Sequence, residues 1–527
     1  MFLMLKNNEK LEKILIAILI AIMSLLIFSY QSKKIGLHED EGYTMCSSVN
    51  PKNGVMDAYD SGVSGPVWRT KDYVKSALSL APKNIFNFKA LYMNQAYDNH
   101  PPVYYTLVHF STLFFGGHFS LYSAFIVNII AFILSCIVLI KILKLLNKDN
   151  LIFPVLILYS LSMGTISMVI FQRMYMVLTL FILLYFYLSL KLYKNDFLMD
   201  KKLIIQLGCT TVFGFLTQYF FAIYAFFIFI IMLTKMIKDK KECSIISKYV
   251  VSHITYAVIG VGLFIPCIKH LLFTDRGITN LNNTGYFSHM LDYIKHLAYA
   301  FNINNSNIVL VFIILALFLI ALIAYCIKSK DRFIAIITVL PSILYFLFAV
   351  KMTSFQELRY VMPMIPFITL TFFFILDRFI TWKYKDVLFI IISTIIVIIG
   401  FTLSKPLFLY ENNKQILDIA EKNKDKSFVY IYDNFFNHMQ SVQEMMIYNK
   451  SLIVNVNNND ELKYVINDKN LKNEGSYIIS IKNYMDNDKI LNRIKDETEF
   501  KNITELYKAP DGLNSNIVND NIYLVSK

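Results

Sequence analysis

The sequence predicts an all-α polytopic membrane protein that carries a small α/β domain at its C-terminal end. Three observations lead to this fold class. Hydrophobic residues make up 56% of the 527 residues and charged residues only 17%, whereas soluble domains carry about 25% charged residues. Apolar runs of about 20 residues, long enough to cross the hydrocarbon core of a bilayer, recur along the chain. After Lys405 these runs stop, and residues rich in Asn, Asp and Lys follow.

About eleven transmembrane spans are predicted from the length and hydropathy of the apolar runs. The first run follows Lys6, Lys10 and Lys13. Because no small-x-small cleavage site comes after it, we expect a retained span rather than a signal peptide. The long apolar stretch 204–237 is divided near 217–219, where polarity rises. The predicted spans are 14–30, 119–140, 151–170, 173–193, 203–219, 220–237, 249–271, 307–327, 333–350, 361–380 and 386–404.

The distribution of basic residues predicts the orientation of these spans. Lys and Arg cluster in every second connecting loop, for example at 141–148 and 235–248, and in the first short segment. The positive-inside rule then places the N-terminus in the cytoplasm, and the odd number of spans places the C-terminus outside. The net charge of +13 agrees with this asymmetry. We therefore expect a multi-pass protein of the bacterial cell membrane, in contact with membrane lipids and with no nucleic-acid partner.

Two long segments and one domain are predicted on the outer side. Residues 31–118 form the first outer segment and end in NHPPVYYTLVHFSTLFFGG, which we interpret as a helix at the membrane interface. Residues 272–306 form the second outer segment and carry Arg276. Short β-like runs such as SFVYIYD and GSYIISI alternate with helical stretches near the C-terminus. This alternation predicts a soluble α/β domain over 406–527, after a transmembrane domain over 1–405. The soluble domain shows no catalytic motif, so we expect a structural or docking role.

Most charged residues that the membrane half has outside the basic loops lie near the outer ends of spans. Two or more cations beside interfacial helices can hold a lipid phosphate, and a carboxylate can take the proton of a hydroxyl acceptor. This combination predicts glycosyl transfer from a polyprenyl-phosphate sugar, whose chain stays in the bilayer. The candidate residues are Asp40 and Glu41 in GLHEDEGYT, His100 in HPPVYY, Arg173 and Tyr175 in FQRMYMVL, Gln218 and Tyr219 in LTQYFFAIY, and Arg359 and Tyr360 in FQELRYVMPMIP.

Each of these residues also has a simpler interpretation. The acidic triplet at 39–41 fits a solvated loop, and HPP fits a turn before a helix. Arg173 fits a side chain that extends to the interface. Arg359 fits a partner of Glu357, and the pair at 218–219 fits a helix break. The functional interpretation depends on their common location on one side of the membrane.

Five of these stretches resemble motifs of one enzyme class. In matching order over roughly residues 10–400, the chain resembles membrane glycosyltransferases of the GT-C class, and most of all bacterial relatives of protein O-mannosyltransferases and aminoarabinose transferases. HEDEGYT resembles their Asp-Glu motif of the first outer loop, with Asp40 and Glu41 in the matching places. Gln218 stands where relatives often have His, and the C-terminal domain lies outside the resemblance. The other four similar segments are HPPVYYTLVHFSTLFFG, QRMYMVLTLFILLYFYLSLKLY, TQYFFAIYAFF and LRYVMPMIPFI.

The resemblance implies a GT-C fold and a polyprenyl-phosphate sugar as donor. It also implies that Asp40 is the catalytic base. We expect transfer with inversion to an extracytoplasmic hydroxyl of a cell-envelope glycan, lipid or protein. Arg173 and Arg359 are the candidates for stabilising the leaving phosphate, where charge develops.

The remaining candidates are assigned to substrate or to an ion. Glu41 is expected to position the acceptor or an ion, and Glu39 is expected to be solvated and dispensable. Because Glu and His both ligate metals, Glu41 and His100 are the candidate ligands of a divalent cation. The other residues expected to bind substrate are Tyr175, Gln218, Tyr219 and Tyr360.

Two functions from other classes also fit a polytopic chain. A transporter or flippase for a lipid-linked glycan should place polar groups near the bilayer midplane on broken helices, often with internal repeats. Here the polar groups cluster at the outer ends, and the sequence shows no repeat of 20–50 residues. A non-catalytic assembly protein that presents its C-terminal domain would leave the paired motifs without a purpose.

Overall fold

The computed structural model of the protein confirms the predicted fold class. The membrane half is helical, and a six-stranded sheet forms in the C-terminal part of the chain. Arg276 of the second outer segment lies outside the described residues. The described residues are 9–51, 66–273, 286–301, 303, 308–329, 331–353, 357–433, 439–456, 461–510 and 517–527.

Long apolar helices make up the membrane half. Nine of the described helices are long and apolar enough to cross a bilayer, and a pair bent by 58° adds a tenth. In chain order the elements are α1 Glu9–Gln31, α2 Glu39–Val49, β1 Val67–Thr70, α3 Lys71–Ala77, α4 Phe88–Tyr97, α5 Val103–Thr112, α6 Ser123–Leu145, α7 Ile152–Leu161, α8 Met163–Ile170, α9 Tyr175–Lys194, α10 Lys201–Thr217, α11 Phe220–Lys238, α12 Cys243–Leu263, α13 Cys267–Leu272, α14 Tyr286–Ala300, α15 Ile308–Lys328, α16 Arg332–Met352, α17 Ile365–Phe379 and α18 Lys385–Leu403.

The bent pair, α7 and α8, runs from one end of the helix bundle to the other. Just before α7, the Asn150 amide donates a hydrogen bond to Asp377, at the end that carries the basic loops. Just after α8, the carbonyl of Phe171 accepts a hydrogen bond of 2.7 Å from Asn128, near the start of α6 at the opposite end. Ser162 lies at the bend, where its hydroxyl caps the first turn of α8. The pair therefore makes one crossing.

α10 also runs the full length of the bundle, although its 17 residues are at the lower limit for a span. It begins at Lys201, on the end with the basic loops. Beyond its other end, the Tyr219 hydroxyl donates to His270 Nδ1 at 2.8 Å. His270 Nε2 in turn donates to the carbonyl of Ala96 in the first outer segment at 3.2 Å. The described helices thus include up to ten candidate spans by length and composition, and the eleven crossings predicted from the sequence require α10 as a further one.

α5 is the helix predicted to lie at the membrane interface. Two prolines directly precede it, a position where a missing backbone N–H costs no helical hydrogen bond. Tyr104 and Tyr105 are fully buried, whereas Leu107, Phe110 and the following Phe114 are exposed. A short helix with one buried and one exposed apolar face suits the headgroup boundary of a bilayer.

The C-terminal part forms an α/β unit whose three parallel strands are almost wholly buried. β2, β3 and β4 pair in parallel, and β6 and β5 continue the sheet in antiparallel pairs, in the order β1-β3-β2-β4-β6-β5. Continuous apolar runs are typical of parallel strands covered on both faces. The elements are α19 Asn413–Lys422, β2 Phe428–Tyr432, α20 Val442–Met445, β3 Lys450–Asn455, α21 Leu462–Asn467, α22 Lys469–Lys472, β4 Ser476–Lys482, α23 Asn487–Glu497, β5 Asn502–Tyr507 and β6 Asp520–Ser526.

Alternate residues of the central strands face two different cores. Val429 and Ile431 of β2 pack in a separate cluster with residues of α21 and α23. Phe428, Tyr430 and Tyr432 belong to the apolar core that continues into the membrane half. Because side chains alternate between the two faces of a strand, the C-terminal unit rests on the membrane half through one face of its sheet.

The first outer segment supplies the edge strand of this sheet. β1 pairs antiparallel with β3, with Val67 opposite Ile453, and the Trp68 indole donates to Asp468 at 2.9 Å. The first outer segment and the C-terminal unit therefore lie on the same side of the bundle, which requires an even number of crossings between them. That this side is the cell exterior stays a prediction. The predicted domain boundary at residue 405 also stays a prediction. The sheet contains strands from both sides of this boundary, because β1 precedes it and β2 to β6 follow it.

Candidate functional site

The acidic triplet occupies the first turn of α2 and does not form a loop. His38 is the N-cap residue: its Nδ1 accepts a hydrogen bond from the Asp40 N–H at 3.1 Å, while Glu41 accepts one from the His38 N–H at 2.7 Å. This reciprocal capping, together with the helix dipole, favours acids at these positions. Successive helical residues lie about 100° apart around the axis, so the three carboxylates face different neighbours.

Asp40 faces Arg359, with which it forms an ion pair. Arg359 lies in the short 3-10 turn Leu358–Tyr360, just before α17. Burial alone would raise the pKa of Asp40, but the guanidinium groups of Arg359 and Arg173 hold that pKa well below its usual range. Asp40 is therefore ionised at neutral pH. Its side chain keeps 26% of its surface exposed, which leaves room for another molecule to approach the carboxylate.

Arg173, just before α9, is fixed by several acceptors. Its Nη1 donates to Thr44 Oγ1 at 2.7 Å, to the Tyr105 hydroxyl at 3.1 Å and to the Asp40 carbonyl at 3.3 Å. These contacts hold α2, α5 and α9 together around a buried cation. The guanidinium therefore has a defined position beside Asp40.

His100 connects Arg173 to Asp98. Because an arginine only donates, His100 Nε2 accepts from Arg173 Nη2 at 3.1 Å, and Nδ1 then carries the proton that it donates to Asp98 at 3.0 Å. Burial alone would raise the pKa of Asp98, but His100 and Arg173 lower it below its usual range. Through His100, the charge of Arg173 is therefore linked to the carboxylate of Asp98.

Arg173 and Arg359 each keep one buried donor without an acceptor. In the part of the chain that the structure describes, the Nε–H groups of both residues have no hydrogen-bond partner. A buried donor without a partner costs about 1–3 kcal/mol, so such donors point to a ligand. A guanidinium fork binds phosphate or carboxylate with two parallel hydrogen bonds. The two groups together are therefore a candidate anion site beside Asp40.

Aromatic rings border this anion site. Tyr175 and Tyr360 meet edge to face with ring centroids 6.0 Å apart, and the Arg359 guanidinium lies 5.3 Å from the ring centre of Tyr360. The Tyr360 carbonyl accepts a hydrogen bond of 3.0 Å from the Tyr345 hydroxyl. These contacts restrict the movement of the turn that carries Arg359.

A comparison with solved structures assigns the fold. The structure matches the crystal structure of ArnT from Cupriavidus metallidurans bound to undecaprenyl phosphate, with a TM-score of 0.57 and 11% sequence identity, over 97% of this chain and 98% of that chain. The chain has the GT-C fold. No protein-family model and no curated protein matches the sequence.

The role predicted for Glu41 in this GT-C fold needs correction. Its Oε1 accepts from Lys34 Nζ at 2.6 Å and from the Gln172 N–H at 2.7 Å, and its Oε2 accepts from the His38 N–H. The side chain is fully buried. With both oxygens occupied by the protein, Glu41 joins α2 to the start of α9 and does not contact an acceptor or an ion.

Glu41 and His100 do not fit a shared divalent-cation site. Glu41 is fully buried and already accepts three hydrogen bonds from the protein, and His100 uses both ring nitrogens for Asp98 and Arg173. Among the described residues, there is no group of three His, Cys, Asp or Glu side chains that could hold a metal ion.

Glu39 is only partly exposed and has a hydrogen-bond partner, whereas the sequence-based expectation was a solvated side chain. It accepts a hydrogen bond from Gln440 at 3.0 Å, Gln440 accepts from Lys482 at 2.5 Å, and Lys482 pairs with Asp520 at 2.8 Å. Burial, and then the neighbouring charge of Asp40, raises the pKa of Glu39 to about 7. The C-terminal unit of this GT-C protein therefore contacts the residue next to Asp40.

Gln218 and Tyr219 lie at the break between α10 and α11. The Gln218 side chain accepts from the Tyr219 N–H at 2.7 Å, as expected for a helix break. Tyr219 contacts His270, which reaches Ala96 of the first outer segment. In the described part of the chain, none of these hydrogen bonds reaches Asp40. Gln218 and Tyr219 therefore belong to a separate hydrogen-bond network beside the one around Asp40.

Several residues of the site were not selected from the sequence. Asp98 carried a signal, because it precedes His100 by two residues in the same motif. Tyr105 lies inside HPPVYY and could have been selected with it. Lys34 and Gln440 carried no signal, since only the fold brings them to the acidic triplet.

Proposed function

We propose that the protein is a membrane glycosyltransferase that moves a sugar from a polyprenyl-phosphate donor to a hydroxyl group of a cell-envelope acceptor. The observation that carries this proposal is the convergence of one ionised carboxylate, Asp40, with two buried guanidinium groups, Arg173 and Arg359. Cations at this depth suit a lipid phosphate, and the carboxylate suits a hydroxyl nucleophile. The undecaprenyl phosphate bound to ArnT supports this donor class.

Transfer proceeds by a single displacement with inversion. The acceptor oxygen bonds to the anomeric carbon while the bond from that carbon to the phosphate oxygen breaks. The acceptor proton moves to Asp40, and the polyprenyl phosphate leaves with the bonding electron pair. Because a sugar hydroxyl is too weak an acid to ionise beforehand, Asp40 acts within the transition state.

The ion pair between Asp40 and Arg359 opens before Asp40 acts as the base. A carboxylate held by a guanidinium is a weaker base, since the contact favours its charged form. The donor phosphate offers Arg359 another anion and a bidentate geometry. Donor binding therefore frees Asp40 for the acceptor, which predicts that the donor binds first.

Arg173 keeps its position throughout, because it already has three acceptors besides His100. Its free Nε–H group and the freed Arg359 together stabilise the charge that develops on the leaving phosphate. Tyr175 and Tyr360 form the wall against which the donor sugar packs.

The C-terminal unit lies beside the acceptor side of this site. Glu39, one residue before Asp40, is held by Gln440 of that unit. We assign the unit and the first outer segment to the cell exterior, where the acceptor is part of the envelope and the basic loops face the cytoplasm.

One observation favours a second candidate function, that of a transporter. α7 and α8 form a broken span of the kind that transporters use to bind substrate. The bend at Ser162 carries no charged side chain. It is also tightly packed: a Cβ atom added at Gly164 would lie 2.5 Å from Ala300 and 2.6 Å from Ile365. The bend therefore leaves no room for a sugar headgroup, and we prefer the transferase.

A deletion strain tests the proposed function. We expect its envelope to lack one sugar and its lipid extract to accumulate the matching polyprenyl-phosphate sugar. Wild-type protein should restore the sugar, and Asp40→Asn should not, although it reaches the membrane. The matched control Asp292→Asn, on the exposed face of α14, should restore it. If the protein were a flippase or an assembly protein, the Asp40→Asn variant should also restore the sugar. That result would overturn the proposal.

A further inference from the structure

A long apolar groove separates α1 from α6, away from the proposed transfer site. Its volume is about 1130 Å³, compared with roughly 300–1,000 Å³ for common ligand sites. The small residues Ala17 and Ala21, one turn apart on α1, line it, and Ile133 and Ile137 of α6 line the other wall. The Ser24 hydroxyl in the groove already donates to the Ile20 carbonyl at 2.8 Å. The middle of the groove therefore offers only apolar contacts.

Contacts between the two helices close the groove at both ends. At one end Phe28 of α1 stacks on Tyr122, with ring centroids 5.6 Å apart, and meets Phe125 at 6.0 Å. At the other end Lys144 of α6 pairs with Glu12 of α1 at 3.3 Å. Because a cavity of this size remains between α1 and α6, another apolar body has to fill the space to reach ordinary packing density.

The end of the groove near Lys144 is basic. Lys13 and Lys141 also line it. Lys13 pairs with Glu9 at 2.7 Å and Lys144 with Glu12, so both acids already have partners. Lys141 has no ion pair in the part of the chain that the structure describes. The positive charge that is left over favours an anionic headgroup at this end.

We propose that this groove binds one anionic phospholipid, with its acyl chains along α1 and α6 and its phosphate at Lys141. The lysines lie at the end with the basic loops, whereas Asp40 and Arg359 lie at the opposite end of the helices. The headgroup therefore occupies the other leaflet from the proposed sugar donor. α1 continues through seven residues into α2, so a lipid that fixes α1 also steadies the helix that carries Asp40.

Lipid titration of the purified full-length protein tests the headgroup. Phosphatidylglycerol and phosphatidylcholine with identical acyl chains are added to delipidated protein, and native mass spectrometry counts the bound lipids. We expect tighter binding of phosphatidylglycerol. Lys141→Ala should weaken it about five-fold, the effect of one lysine near an anionic surface, and should leave phosphatidylcholine unchanged. Lys238 lies on α11 at the same end of the helix bundle as Lys141, but outside the groove. The matched control Lys238→Ala should therefore change the binding of neither lipid.

A second variant tests the apolar part of the groove. Ala17→Leu combined with Ala21→Leu narrows the space between α1 and α6 and should weaken the binding of both lipids. Equal binding of the two lipids by the wild type, or equal losses in Lys141→Ala and Lys238→Ala, would overturn the proposal. So would a stable dimer cross-linked through α1, because a second copy of the chain would then occupy the groove.

Discussion

Asp40 and Arg359, 319 residues apart in the chain, form an ion pair at the end of the membrane helices that faces the C-terminal unit. One partner is in the first turn of α2 and the other is in the turn before α17. The pair therefore couples the first outer segment to a late span of the bundle. The ion pair also holds Asp40, the proposed base, in its charged form until another anion replaces Asp40 as the partner of Arg359.

Replacing Asp40 tests its role as the base. Asp40→Asn keeps the shape of the side chain but cannot take a proton, so sugar transfer should fall by roughly two to four orders of magnitude. The binding of undecaprenyl phosphate to the purified variant should be unchanged or tighter, since Arg359 no longer has a competing carboxylate. Transfer is measured as restored sugar in the envelope of the deletion strain. Near wild-type transfer would show that the base lies elsewhere.

Replacing Arg359 tests the anion site. Arg359→Ala should weaken undecaprenyl phosphate binding by at least tenfold, because a charge-assisted contact is lost. Arg359→Lys should recover only part of it, since an ammonium group lacks the planar fork. Binding is measured by lipid titration of purified protein, with Arg378→Ala at the basic end of the bundle as the control. Equal affinity in all three variants would remove Arg359 from the site.

Glu41 is expected to act on stability and not on substrate. Glu41→Gln leaves the buried Lys34 charge without its carboxylate, which should destabilise the protein by about 3–5 kcal/mol. The double variant Lys34→Met with Glu41→Gln should recover part of this loss, because no charge is left buried. The measurement is thermal unfolding in detergent. Glu9→Gln, from the exposed pair with Lys13, should leave stability nearly unchanged, because solvent screens such pairs. A Glu41→Gln protein of normal stability without transfer activity would contradict this assignment.

The buried Glu444 of α20 predicts a pH dependence of stability. Burial, and then the charge of Asp520, raises the pKa of Glu444 to about 8. Between pH 4.5 and 8 the folded state keeps a proton that the unfolded state releases. Stability should therefore be fully present below pH 4.5 and fall as pH rises, by about 1.4 kcal/mol per unit. Glu444→Gln should flatten the fall of Tm between pH 5 and 8, and the exposed Glu497→Gln should not. Equal slopes in the wild type and Glu444→Gln would contradict the prediction.

The side of the membrane can be tested with reporters. Fusions after Lys34 and after Lys405 should both report the cell exterior, because β1 and β3 pair on one side and the basic loops lie on the other. Opposite signals from the two fusions would contradict the strand pairing. A cytoplasmic signal from both would invert the assignment of sides.

The spans could be predicted from the sequence because the bilayer sets their length and composition. α1, α6 and α18 follow directly from apolar runs. The break at 217–219 was also predictable, since a polar pair interrupts a long apolar stretch there. β1 was not, because VWRT is only four residues long and becomes a strand by pairing with β3, far along the chain.

Part of the candidate site could also be predicted from the sequence, because the bilayer makes charged residues near spans rare. Asp40, Arg173 and Arg359 stand out because charges at the ends of spans are rare. The helical start at the acidic triplet was missed because a histidine serves as the cap, where Ser or Thr is the usual signal. Glu39 was assigned wrongly because its partner, Gln440, comes from a domain outside the motifs.

The shared sheet also sets the order in which the protein matures. Lys71, directly after β1, contacts Asn449, directly before β3, across 378 positions of sequence. During synthesis the first outer segment emerges long before its partner strand exists, and N-terminal parts of a chain fold first. The helix that carries Asp40 therefore lacks its contacts with the C-terminal unit until the last part of the chain has been made. A chain released early would lack β3 and the contact between Gln440 and Glu39, and under the proposed function we expect it to be inactive.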